Sequence, residues 1–195
     1  DKNNEIIVKV DNSKQPNSRW YSGSGIFRNV WLETTDKLHV DQWGTYITTP
    51  KVTADKASVS IETTIKNQNS VSKNAIVTTT IFKKDTKVTS VTQNIAIAAN
   101  ANQVLNQNVL VNNPVLWSDE KPEQYTAVTT ISVDSKIVDE YKTDFGIRYF
   151  KFDLNKGFLL NGKQVKIKGV CMHHDLGPLG AAINTRAIER QLEIL

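Results

Sequence analysis

A chain of 195 residues with one cysteine, Cys171, can form no intrachain disulfide and no cysteine-based metal cage. Set between Val170 and Met172, that cysteine reads as a small buried apolar residue and not as a nucleophile. No apolar run approaches the ~20 residues that cross a bilayer, so no membrane partner is expected. The opening Asp1-Lys2-Asn3-Asn4 has no signal-peptide pattern, and localisation is not legible from that end. The net charge is only +4, and the lysines are scattered along alternating strands instead of forming a patch, which argues against nucleic acid. Helical periodicity is also missing before residue 184. With 39% hydrophobic and 23% charged residues, the chain has the composition of an ordinary globular protein.

What fills the sequence is β pattern. Val59, Ile61, Thr63 and Ile65, and again Tyr125, Ala127, Thr129, Ile131 and Val133, recur with period two, as in strands with one face buried and one wet. Polar breaks at 67–70, 83–86, 112–114 and 134–136 separate these runs. Roughly seven strands within residues 37–147 predict a mainly β fold, an immunoglobulin-like antiparallel β-sandwich. The disulfide of antibody domains is absent, so apolar packing must hold the sheets together. Trp43 and Trp117 are the expected core or sheet-edge anchors.

Two shorter pieces flank this domain. Residues 1–36 are expected to hold a strand over Glu5–Val10, a polar loop, and a second strand from Ile26 to Thr35. Two strands are too few to be stable alone, so they are assigned to an upstream sheet. Residues 148–195 begin with a strand from Tyr149 to Asp153, and Asn161-Gly162 is placed in a type I′ hairpin turn. The alternating run Gln164–Lys168 then leads into Gly169-Val170-Cys171-Met172-His173-His174-Asp175 and the loop Gly177-Pro178-Leu179-Gly180. Asn184 or Thr185 caps a helix whose Ile188, Leu192 and Leu195 form one stripe. Strand, polar tip, loop and helix together look like the first βα unit of a (β/α) barrel, whose chemistry sits at the C-terminal strand ends. The helix has no closing signal, so a boundary set by engineering or proteolysis is expected there.

Four ordered motifs carry a family resemblance. Residues 19–32, from Arg19-Trp20-Tyr21 to Val30-Trp31-Leu32, resemble the close of the jelly-roll, sugar-binding domain of family 2 glycoside hydrolases. Leu116-Trp117-Ser118 with Pro122 and Tyr125 resembles a motif late in that family's immunoglobulin-like domain. Phe145-Gly146-Ile147-Arg148, with Gly157-Phe158 and Leu160-Asn161-Gly162-Lys163, resembles its approach to the catalytic TIM barrel. Gly169 through Asp175, with Gly180-Ala181-Ala182, resembles the first barrel strand and loop of β-galactosidases of the Bacteroides kind. The resemblance implies residues 1–36 as the end of the jelly roll, 37–147 as the sandwich and 148–195 as the start of a truncated barrel. It also implies a retaining hydrolase of terminal β-galactosides that needs no cofactor. In that chemistry one carboxyl group protonates the glycosidic oxygen and another, ~5–5.5 Å away, attacks the anomeric carbon. The family's two catalytic glutamates come from later barrel strands, and no residue here matches them. The fragment is therefore expected to be inactive, and a periplasmic or extracellular parent is favoured by family alone.

The resemblance assigns His173 to the sugar subsite, where an imidazole can donate from one nitrogen and accept at the other; the plain alternative is a buried histidine closing a strand. Asp175 is weighed between satisfying loop backbone and touching sugar. Asn17, in the loop before Trp20, is weighed between a turn residue and one that reaches the catalytic pocket. Trp20 and Tyr21 read as interdomain packing, and Arg28 as an ion-pair partner at the domain junction. His174 points to the opposite face of a continuing strand from His173. A Cys171, His173 and Asp175 zinc set is disfavoured because it offers too few ligands. The competing reading is a free-standing carbohydrate-binding or adhesion module. Val165, Ile167, Val170, Ile188, Leu192 and Leu195 each gain ~1.5–3 kcal/mol from full burial, so this tail is expected to fold back or pair with a second copy as a homo-oligomer.

Overall fold

Seven long strands arise where the period-two pattern lies: β1 (Leu38–Val52), β2 (Lys56–Asn67), β3 (Lys73–Lys83), β4 (Thr86–Ile97), β5 (Ala101–Asn112), β6 (Tyr125–Val133) and β7 (Lys136–Phe145). In this computed structural model they form two antiparallel sheets, ordered β1-β2-β5 and β4-β3-β6-β7, which is an immunoglobulin-like sandwich. A small third sheet, ordered β10-β9-β8, follows from β8 (Phe150–Asp153), β9 (Gly157–Leu160) and β10 (Lys163–Gln164). The structure describes residues 5–14, 24–26, 29–172, 176–180, 182 and 184–195. They divide into two compact units: Thr34–Ile167, and the described residues of Asp1–Glu33 with Lys168–Leu195.

Tight turns explain how the strands reverse. Asp134 and Ser135 both have positive φ, at 49° and 64°, so β6 returns as β7 through two residues whose twist matches the strands. β2 pairs β5 without interruption from Lys56↔Asn112 to Asn67↔Ala101, keeping Ala57, Val59, Ile61 and Ile65 on the inner face. Opposite them lie Val77 and Ile81 of β3 and Ala127 and Ile131 of β6.

A polar level interrupts this core. The apolar interior forms two clusters, one built on Val59, Ile61, Ile81, Tyr125 and Ile147, the other on Leu38, Ile65, Val77, Ile97 and Ile131. The buried Thr63, Thr79, Gln107 and Thr129 occupy inward positions of the strands between these sets. Thr79 Oγ1 donates to Gln107 Oε1 at 2.7 Å and lies 3.0 Å from Thr129 Oγ1, while Gln107 Nε2 donates to the Val77 carbonyl at 3.3 Å. Thr63 and Thr45 hydroxyls have no hydrogen-bond partner among the described residues.

Side-chain ties close both ends of the sandwich. Asn67, 1% exposed, donates to the carbonyls of Val71, Ile97 and Ala98 and accepts from the Asn69 backbone, joining two loops. Val40 N–H donates to Asp139 Oδ2 at 2.8 Å, tying edge strand β1 to edge strand β7. At the start of β6, the buried Tyr125 hydroxyl accepts from Val115 N–H at 2.9 Å. This is the geometry of a tyrosine corner, which braces the crossing from one sheet to the other.

Several expected elements differ. Residues 5–10 and 29–36 enter no ladder, and after Val165, whose N–H donates to the Phe158 carbonyl at 3.0 Å, residues 166–172 continue outside any ladder. A strand needs a neighbour for its backbone groups, and among the described residues none is offered to these runs. Trp43 is not a core anchor. It sits in a bulge of β1 between Val40 and Thr45, has φ of 53° and is 86% exposed. Gly44 makes the bulge possible, since a Cβ there would lie 2.6 Å from the Asp41 carbonyl oxygen. Cys171 is exposed rather than buried.

Thr79→Val leaves Gln107 Oε1 and Thr129 Oγ1 short of a partner and should destabilise by about 1–3 kcal/mol. Thr63→Val removes an unpartnered hydroxyl from the same interior and should be neutral or stabilising, as urea denaturation of both variants will show.

Candidate functional site

The residues assigned to sugar contact, His173, Asp175 and Asn17, lie outside the described residues, as do Trp20, Tyr21, Arg28 and His174. Leu176 N–H donates to the Gly180 carbonyl at 3.0 Å, and Gly177–Leu179 makes one 3-10 turn in which Pro178 takes an N-terminal position. Helix α1 (Thr185–Ile194) then starts as expected, with Asn184 Oδ1 accepting from Ala187 N–H at 2.8 Å. None of its residues is buried, and Leu192 and Leu195 are exposed. Val170, Cys171 and Met172 line a shallow cavity of about 290 Å³ with Gln191, Ile194 and Leu195.

Several described carboxylates engage in structural contacts. Arg186 binds Glu193 at 2.8 Å and Glu189 at 3.3 Å along α1, and these two hydrogen bonds hold its guanidinium pKa above the usual value. Lys83 pairs with Glu123 and, by hydrogen bond and charge, holds that carboxyl below its ordinary range. Asp153 accepts from the backbone N–H groups of Asn155 and Lys156, which lowers its pKa in turn. A glycosidase acid needs the opposite displacement, upward. No cluster of three metal-ligating side chains occurs among the described residues.

Two of the four sequence motifs come together, beside an open cavity of about 510 Å³ that Gly146, Arg148 and Tyr149 line with residues 46–50. Trp117 N–H donates to the Ile147 carbonyl at 2.8 Å, and the Arg148 guanidinium lies 5.0 Å from the Trp117 ring centroid. Asn161 Nδ2 donates to the Trp117 carbonyl at 2.9 Å, while Asn161 Oδ1 accepts from Tyr149 N–H at 3.1 Å. Gly146 faces the same indole; a Cβ on it would stand 2.8 Å from Trp117 Cβ and Cγ. Ile147 is fully buried in the sandwich core, which fixes this joint to the larger sheets. Each motif was visible along the sequence. Their convergence was not, because the distance from Trp117 to Asn161 is set by the fold.

A seven-strand sandwich continued by a small antiparallel sheet, with these motifs at the joint, defines a domain of the immunoglobulin-like β-sandwich class. The chain belongs to the glycosyl hydrolases family 2, whose model matches residues 38–148. It is 47% identical over its whole length to β-galactosidase BoGH2A of Bacteroides ovatus, of which it covers 23%. It is 31% identical over 85% of its length to a β-glucuronidase of Formosa agariphila, covering 19% of that protein. Among solved structures, a family 2 member from Bacteroides cellulosilyticus superposes with a TM-score of 0.86 at 39% identity, over 95% of this chain and 26% of the other. The β-glucuronidase of Bacteroides uniformis gives 0.85 at 30% identity, over 95% and 24%. The chain thus spans about a quarter or less of the length of the curated relatives it matches.

Gly146→Ala should force the Trp117 ring aside and cost about 1–3 kcal/mol, measured as a drop in melting temperature. Asp153 has a depressed folded pKa, so its contribution to the β8–β9 turn is present above its ordinary value of 3.8 and is lost as pH falls through the lower folded value. Hydrogen-exchange protection in β8 and β9, taken relative to the intrinsic rate at each pH, should therefore fall in acid in the native chain, whereas Asp153→Asn should flatten that pH dependence.

Proposed function

We propose that this chain is part of a larger retaining β-galactosidase-like hydrolase, in which the sandwich is a spacer that orients a sugar-binding jelly roll on a catalytic barrel. The observation that carries this reading is the 47% identity to BoGH2A across the full chain. In this reading residues 1–36 close the jelly roll and 148–195 open the barrel. His173, Asp175 and Asn17 contribute to the sugar pocket, while the acid and the nucleophile lie outside these 195 residues. Hydrolysis by two carboxyl groups requires no cofactor. Galactosides are favoured over glucuronides because the relative named as a galactosidase is the more similar of the two reported. A periplasmic or extracellular site of action rests on the family alone. No described helix is long and apolar enough to cross a membrane. Self-association through residues 148–195 is part of the proposal and is read by light scattering.

The rival, a free-standing carbohydrate-binding module, is favoured by one observation: the exposed Trp43, a ring face open to stacking on sugar. Two assays separate them. The 195-residue chain should give no turnover of a chromogenic β-galactoside, while the protein encoded by the full gene should hydrolyse it. Turnover by both at similar rates defeats the spacer reading, and glycan retention by the fragment that Trp43→Ala abolishes supports the module.

A further inference from the structure

Glycine between two domains usually suggests a hinge, but Gly146 serves another purpose here. Its φ is not among the positive values of the chain, and its missing Cβ leaves the space that Trp117 occupies. Around that indole the links run to residues 146–148, which leave the sandwich, and to the β9–β10 turn of the small sheet. Arg148 covers the ring, Trp117 N–H holds the Ile147 carbonyl, and the Asn161 carboxamide bridges the Trp117 carbonyl to Tyr149 N–H. Asn161 N–H also donates to the Tyr149 carbonyl at 2.9 Å, and Thr49 Oγ1 donates to the Arg148 carbonyl at 2.8 Å. The chain from Phe145 to Tyr149 is therefore bonded on both sides, from β1 and from the β9–β10 turn.

We propose that Asn161 is a positioning residue that clasps the β8–β10 sheet to the sandwich, so that the two move as one rigid body. The proposal deepens the spacer reading and rests on it for its biological purpose, because a spacer that sets an orientation must not bend at its end. Asparagine suits this position on two grounds. Its carboxamide offers one acceptor and one donor, which the site uses at the two separate groups. Its φ of 51°, followed by Gly162 at 80°, is the left-handed turn conformation that asparagine tolerates better than other side chains. Aspartate keeps the acceptor and presents a second oxygen to the Trp117 carbonyl, which breaks the clasp without changing shape.

The test is solution NMR on the 195-residue chain, with Asn161→Asp and Asn161→Gly compared with the native sequence; the glycine variant keeps the turn and deletes the carboxamide. In the native chain, residual dipolar couplings from β2, β3 and β6 and from β8–β10 should fit a single alignment tensor. In both variants the amides of Trp117, Asn161 and Val165 should exchange about tenfold faster or more, equal to the loss of one hydrogen bond at the upper end of its usual worth. Exchange in β2, β3 and β6 should stay unchanged. Two tensors in the native chain overturn the proposal, as does unchanged exchange at those three amides in both variants. An equal acceleration in the core strands also overturns it, since Asn161 would then support only overall stability. No substrate is present in any arm, so a failure of the galactosidase reading leaves this outcome unaffected.

Discussion

Two sheets with no covalent bond between them are held by inward side chains that alternate along β2, β3, β5 and β6, and the position of every other feature follows from that interleaving. Each fully buried isoleucine or valine contributes ~1.5–3 kcal/mol, and the cost of shifting one strand by a residue would turn its whole apolar set to water. The polar level of Thr79, Gln107 and Thr129 adds a directional demand. Their hydrogen bonds exist only when β3, β5 and β6 hold one register. Packing sets the distance between sheets, and the polar level sets their alignment.

From that frame the joint at the sandwich end follows. Ile147 is drawn into the core two residues after β7 ends, so Gly146 and Arg148 are placed on either side of a buried anchor. The close approach of Gly146 to Trp117 then leaves the Trp117 carbonyl facing the β9–β10 turn, where the Asn161 carboxamide meets it. Motifs that resemble a hydrolase family are commonly read as pocket residues. In this chain, those of the sandwich and the hairpin build a connection between sheets.

Much of the sandwich was legible along the sequence. Alternation located β2 and β6, polar breaks located the turns, and Asn161-Gly162 located a hairpin, because each of these signals acts over a few neighbouring residues. The helix start at Asn184 was legible for the same reason. Cys171, expected buried, is exposed, and Trp43, expected as a core or sheet-edge anchor, lies on edge strand β1 with its ring in solvent. A large apolar side chain next to a β pattern is ordinarily core, but the bulge at Asp41–Gly44 rotates Trp43 outward, and a bulge is stabilised by contacts with the neighbouring strand. The strand expected at 5–10 carries the local pattern but finds no pairing partner among the described residues, and the one expected at 164–168 is paired only at its start, through Gln164 and Val165.

By itself the sequence determined the β class, the number of sandwich strands, the hairpin turns and the family resemblance, since periodicity, turn chemistry and motif order are local properties. Only the tertiary structure decided that Thr79, Gln107 and Thr129 meet across the interior and that Trp117, Gly146, Arg148 and Asn161 form a single joint. These contacts join residues from 28 to 50 positions apart, as with Thr79 and its two partners, or 44 apart, as with Trp117 and Asn161. Nothing in the intervening chain specifies such a distance until the sheets have packed.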